Sequence, residues 1–162
     1  MTLNQLLAES VMTGPSMLAM TLSDFSDAEM LVRPVPTANH ATWQLGHLIK
    51  SAHGMLTGCG APLAPLPAGF SDKYTNDSAK SDDPARFGKK AELLALLTQI
   101  SQTSADWAKS LSPAQLAQPS PEELRSFCPT VAAAINLQSS HIAMHMGQIQ
   151  VIRRKLGKPI LF

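Results

Sequence analysis

The chain has 162 residues, 44% of them hydrophobic and 5% aromatic, and its 13 Lys and Arg against 12 Asp and Glu leave a formal charge of +1. That length suits one domain around one core. The near-neutral balance leaves no electrostatic footprint for nucleic acid or an anionic membrane, and no apolar run reaches the ~18–20 residues that cross a bilayer.

With aromatic and β-branched residues scarce, the core must be built from Leu, Ile, Val, Met and Ala, a mixture that favours helices over sheet. The first helix is expected from about Leu3 to Leu22, because Leu3, Leu7, Val11, Gly14, Leu18 and Phe25 recur at three- and four-residue steps. Its N-terminus has no basic leader region and reads as mature helix. The pair Gly14-Pro15 should kink or interrupt it, since proline removes a hydrogen bond and crowds the preceding turn. Ser26-x-x-Glu29 has the capping-box form, and Arg33-Pro34-Val35-Pro36 calls for an extended connection. A second helix begins near Asn39 as N-cap, buries Ala41, Leu45, Leu48, Ala52 and Met55, and stops at Gly58 and Gly60.

From 61 to 88 the chain is rich in Pro, Gly, Ser and Asp and has no period, so a long loop is expected. The third helix runs from about Lys89 to Leu111 on Leu93, Leu97, Ile100, Trp107 and Leu111. Two capping signatures follow, Ser112-Pro113-Ala114-Gln115 and Ser120-Pro121-Glu122-Glu123, each with proline at the first helical position. The last helix, from about Thr130 to Leu156, has the strongest pattern. Val131, Ile135, Gln138, Ile142, His145, Ile149, Ile152 and Leu156 form one stripe. Arg153, Arg154 and Lys155 complement its dipole as a solvated basic end, and Gly157 and Pro159 terminate it. Four long helices with one long crossover imply an all-α four-helix bundle forming a single domain. Cys59 and Cys128 lie too far apart in sequence to read as a disulfide framework, so a reducing, cytoplasmic setting is expected.

The chemistry lies in the histidines. His141 and His145 are four apart and project from one helix face, so their imidazoles can converge on one ion. His145 is on the buried stripe, where an imidazole needs partners. A lone histidine there is more often a hydrogen-bonded core residue than a ligand, so a third donor matters. The second helix offers His40, His47 and His53. His40 suits a capping or solvent-facing role. His47 is mid-helix and His53 lies one residue past the apolar stripe. Spacing alone does not choose between these last two.

Trp43-Gln44-Leu45-Gly46-His47-Leu48 and His141-x-x-x-His145-x-Gly147-Gln148-Ile149, with the ending Arg153-Arg154-Lys155-Leu156-Gly157-Lys158-Pro159, resemble the DinB-like (YfiT-like) superfamily of metal-binding four-helix bundles. The resemblance covers most of the chain. It implies that His47, His141 and His145 ligate a divalent metal, that a long crossover joins the second and third helices, and that the protein is a homodimer.

Three neutral imidazoles leave a divalent ion's charge uncompensated and at least one coordination position open, so such an ion could activate water or a thiol. Zn, Ni, Fe and Mn all accept imidazole. Neither ligand helix carries a carboxylate near the histidines to serve as general base. A metal-dependent enzyme acting on small molecules is therefore expected, with transfer of a low-molecular-weight thiol ahead of hydrolysis and the 61–88 loop as a lid. A noncatalytic metal- or ligand-binding module and a purely structural bundle are the alternatives. Gln44 and Gln138 are candidates to orient an imidazole, Gln148 to face the pocket, and Trp43 to wall it.

Overall fold

In the computed structural model, which describes residues 1–161, the chain folds into helices, with no strand among the described residues. Helix α1 spans Leu3–Leu22, α2 Ala41–Gly58, α3 Lys90–Ser110, α4 Pro113–Leu116 and α5 Val131–Lys155. The four long helices form the bundle. α1 packs on α3 and α5, and α2 packs on the same pair. The first two helices therefore stand diagonally, joined by the 23–40 connection, and the long 61–88 crossover links the neighbours α2 and α3.

Helix α1 begins with a reciprocal cap between Thr2 and Gln5. It does not break at Gly14-Pro15: the helix runs through with both residues buried. Pro15 deletes a single intrahelical bond. Gly14 lets α5 approach so closely that a Cβ there would stand 3.1 Å from Ile142 Cδ1. The Ser26–Glu29 box forms as expected and starts a short 3-10 turn, Glu29–Leu31.

The N-cap of α2 is His40 rather than Asn39. The fully buried His40 accepts the Trp43 amide on Nδ1 at 3.1 Å, while its Nε2–H donates to the Ser81 carbonyl at 3.1 Å. The 61–88 segment is a packed crossover, not a free loop. It contains three 3-10 turns (Ser71–Lys73, Ser78–Lys80 and Pro84–Arg86) and contributes Phe70, Tyr74 and Phe87 to the core. The Tyr74 ring lies directly on Gly46, where a Cβ would stand 2.0 Å from its Cε1. Its hydroxyl accepts the Gly88 amide at 3.0 Å.

Ser112 and Gln115 cap each other as their spacing predicts. The second such signature does not form. Pro121 precedes the short turn Glu122–Leu124 without a side-chain cap, and the buried Ser120 hydroxyl donates instead to the Cys128 carbonyl. Along α5 the expected stripe is buried from Val131 to Ile152. Arg153 departs from the expected solvated end: it is 1% exposed. Its guanidinium donates to both Asp24 carboxylate oxygens, at 2.5 and 3.2 Å, and to the Thr21 and Pro159 carbonyls, tying α5 to the end of α1. This arrangement satisfies a buried charge and holds the Asp24 carboxyl below its usual range. No helix of the described residues is long and apolar enough to cross a membrane.

Candidate metal centre

Three histidines from two helices meet where α2 faces α5. His47, His141 and His145 each offer a ring nitrogen, and all three nitrogens lie within 4.8 Å of one another. The ring centroids are 5.2 Å apart for His47–His141, 5.2 Å for His47–His145 and 4.9 Å for His141–His145. His145 is buried at 7% exposure, and the other two are half-buried at the rim.

Gln44 determines which nitrogen His145 presents. Its Nε2 donates to the Asn39 carbonyl at 2.8 Å, and a carbonyl can only accept. The amide orientation is thereby set, with Oε1 facing His145 Nδ1 at 2.9 Å. Nδ1 must then carry the proton, and Nε2 keeps its lone pair toward the centre. There it stands 3.2 Å from His141 Nε2. Two imidazole nitrogens bound to one ion at about 2.0–2.1 Å in tetrahedral geometry would stand about 3.3 Å apart. The donor set therefore fits a divalent ion in identity, tautomer and spacing.

His47 is positioned by stacking. Trp43 lies parallel to its ring, with centroids 5.0 Å apart and planes 9° from parallel. The indole N–H is itself anchored on the Thr75 carbonyl at 3.0 Å and the Ser78 hydroxyl at 3.2 Å. The crossover thus braces the tryptophan that braces His47.

The electrostatics also favour neutral donors. Burial pushes His145 down to about 4, helped by His141 and His47. Burial likewise lowers His141, with His47 adding to it, and His47, with the Lys50 ammonium adding to it. At neutral pH all three rings are unprotonated and able to ligate.

The remaining candidates divide. Gln44 and Trp43 touch histidines of the cluster. Gln138 forms no hydrogen bond to them among the described residues; its amide donates back to the Ala134 carbonyl at 2.9 Å within α5. Gln148 is exposed on the outer side of α5 and forms no hydrogen bond to the histidines among the described residues. His53 turns away from the cluster and reaches the Ala64 carbonyl, Nε2 to O 3.0 Å.

Sequence reading missed the wall of the groove that opens beside His47. This groove has a volume of about 700 Å³, with Lys50, Ser51 and Met55 of α2 on one side and Tyr74, Thr75 and Asn76 on the other. The α2 residues step by three and four from His47, and that spacing was the available signal.

Comparison with known proteins agrees with this architecture. No curated protein matches the chain. Among solved structures, the chain is similar to YfiT from Bacillus subtilis, described as "a probable metal-dependent hydrolase with an unusual four-helix bundle topology". The TM-score is 0.71 at 16% identity, over 96% of this chain and 89% of that one. The model of the DinB superfamily matches residues 13–149, a span that includes all three clustered histidines, and the chain belongs to that superfamily.

Proposed function

We propose that this protein is a metal-dependent enzyme acting on small molecules, with His47, His141 and His145 as the ligands of one divalent ion. The observation that carries this reading is the Asn39–Gln44–His145 chain, which aims a lone pair into a cluster of neutral imidazoles beside an open groove. A structural role for the histidines would need no such orientation and no access from solvent. When bound, a divalent ion would lower the pKa of a thiol or water sharing its coordination sphere.

The chain's own residues favour thiol transfer over hydrolysis. The group among the described residues that could hold a metal is three histidines with no carboxylate, and the acidic residue lining the groove, Glu123, comes from the separate turn after α4. Among the described residues no carboxylate joins the cluster to act as a general base toward water, whereas a thiol substrate needs none. Hydrolysis is the second reading, supported by the description of YfiT. Trp43 and Gln44 hold two ligand rings in place, and the groove admits the second reactant. The packed 61–88 crossover acts as a fixed wall in this reading rather than as a lid. The free thiols of Cys59 and Cys128 fit a reducing compartment, and the exposed Met144 and Val151 on the outer side of α5 are consistent with a homodimer.

The test is metal content by elemental mass spectrometry on untagged protein, beside His145→Ala. Near-stoichiometric divalent metal in the wild type, lost in the variant, is expected; thiol-dependent turnover by the loaded protein would then separate transfer from hydrolysis. No uptake after supplementation with Zn, Ni, Mn and Fe would overturn the reading.

A further inference from the structure

Helix α2 carries one charged side chain besides its histidines, Lys50, and it faces the groove. Lys50 follows His47 by three residues, about 4.5 Å of helical rise on the same face. It is half-buried, and its ammonium donates to the Ser71 carbonyl at 3.1 Å and the Tyr74 carbonyl at 3.3 Å. An ammonium has three donors, so one is left for a ligand. Among the described residues no carboxylate pairs with it.

The acidic residue of the same groove, Glu123, is exposed and comes from the Pro121 segment, which meets α2 at Gly58. Gly58 lies eight residues beyond Lys50, about 12 Å along the helix. Glu123 makes no ion pair with Lys50. Thr75 and Asn76 line the groove opposite and add neutral polar groups. Lys50 thus presents an ammonium donor to the groove one turn from the histidine centre, with no carboxylate paired to it.

We propose that Lys50 is the specificity-determining residue of the groove and selects small molecules that carry a carboxylate about one helical turn from the group that reacts at the histidines. This rests on the metal-centre reading for the position of the reacting group. It differs from a purely structural role, in which Lys50 would only pin the 71–74 turn to α2.

The experiment compares 3-mercaptopropionate with its neutral amide, 3-mercaptopropionamide, on cobalt-loaded protein, following the thiolate-to-cobalt absorption band. The variants are Lys50→Gln, which keeps a donor for the loop carbonyls, and Lys50→Arg, which keeps the charge. The preference for the carboxylate over the amide should fall about fivefold in Lys50→Gln, the scale of one solvent-accessible ion pair. It should largely survive in Lys50→Arg, with melting temperatures confirming that both variants fold. An unchanged preference in Lys50→Gln overturns the proposal.

Cobalt content is measured first. If no cobalt binds, the reading of the centre fails on its own. The same two probes are then titrated into metal-free protein and the Thr75 and Asn76 amide shifts followed. A response to the carboxylate alone, present in the wild type and absent in Lys50→Gln, supports the proposal. An equal response to both probes, or none, overturns it.

Discussion

Gln44 Oε1 accepts the Nδ1–H of His145 at 2.9 Å, and this contact between α2 and α5 decides the tautomer of the most buried histidine of the cluster. Without it, a buried neutral imidazole could place its proton on either nitrogen, and half of the arrangements would aim an N–H at the centre. The relationship joins two residues 101 positions apart in sequence.

Gln44→Leu removes that acceptor while keeping side-chain size. Metal affinity should fall about 10- to 100-fold, the usual range for losing a hydrogen bond that orients a ligand histidine. Competition with a chromophoric chelator measures it. An affinity equal to the wild type in a folded variant would show that Gln44 only packs.

Stability of the metal-free protein should fall with acidification above the carboxylate range. His40, His47, His141 and His145 are all held below the ordinary histidine value by burial, His145 to about 4. The unfolded chain takes up protons from about pH 6.5 downward, and in the folded chain each of these rings takes one up only at lower pH, His145 near 4. The stabilisation is therefore complete above 6.5 and is lost as the pH drops through that window. Asp24, lowered by Arg153, and Glu29, lowered by the Ser26 amide and Lys158, add their own losses at still lower pH. Urea midpoints between pH 7.5 and 4.5 should decline, and His145→Gln should decline less. Flat midpoints across the range would contradict the buried, neutral state of these rings.

Gly46→Ala tests the contact that seats the crossover beside His47. The new methyl would stand 2.0 Å from Tyr74 Cε1, so the ring must leave its place against α2. Overpacking of this kind costs about 1–3 kcal/mol, or roughly 2–12 °C in melting temperature for a domain of this size. Because Tyr74 and Thr75 line the groove, metal-dependent ligand binding should weaken as well. Melting curves that superimpose on the wild type would rule out the packing.

The helices were legible in the sequence because their signals are local. A 3.6-residue period, a capping residue or a terminal glycine acts within one or two turns, so α1, α3 and α5 lie within a residue or so of the expected bounds. The pairing of His141 with His145 was equally local, set by one turn of one helix. Misreadings arose where a long-range partner outweighed a local preference. His40 took the cap from Asn39 because Ser81, 41 residues away, could receive its second ring nitrogen. Arg153 was drawn inward by Asp24 and two carbonyls that sequence proximity does not reveal.

By itself, then, the sequence determined the helical class, the long crossover and one convergent histidine pair, because each depends on neighbours within a few residues. Spacing left His47 and His53 open and the family resemblance implied His47; the tertiary structure brings His47 into the cluster. Those two rings are six residues apart on α2 and point to different sides, and which side meets α5 is a matter of helix packing. The packing also aligned Gln44 with His145, stacked Trp43 on His47, and opened the groove along Lys50. Each of these needs groups from separate helices or from the crossover, brought together by burial of the apolar stripes rather than by any local rule.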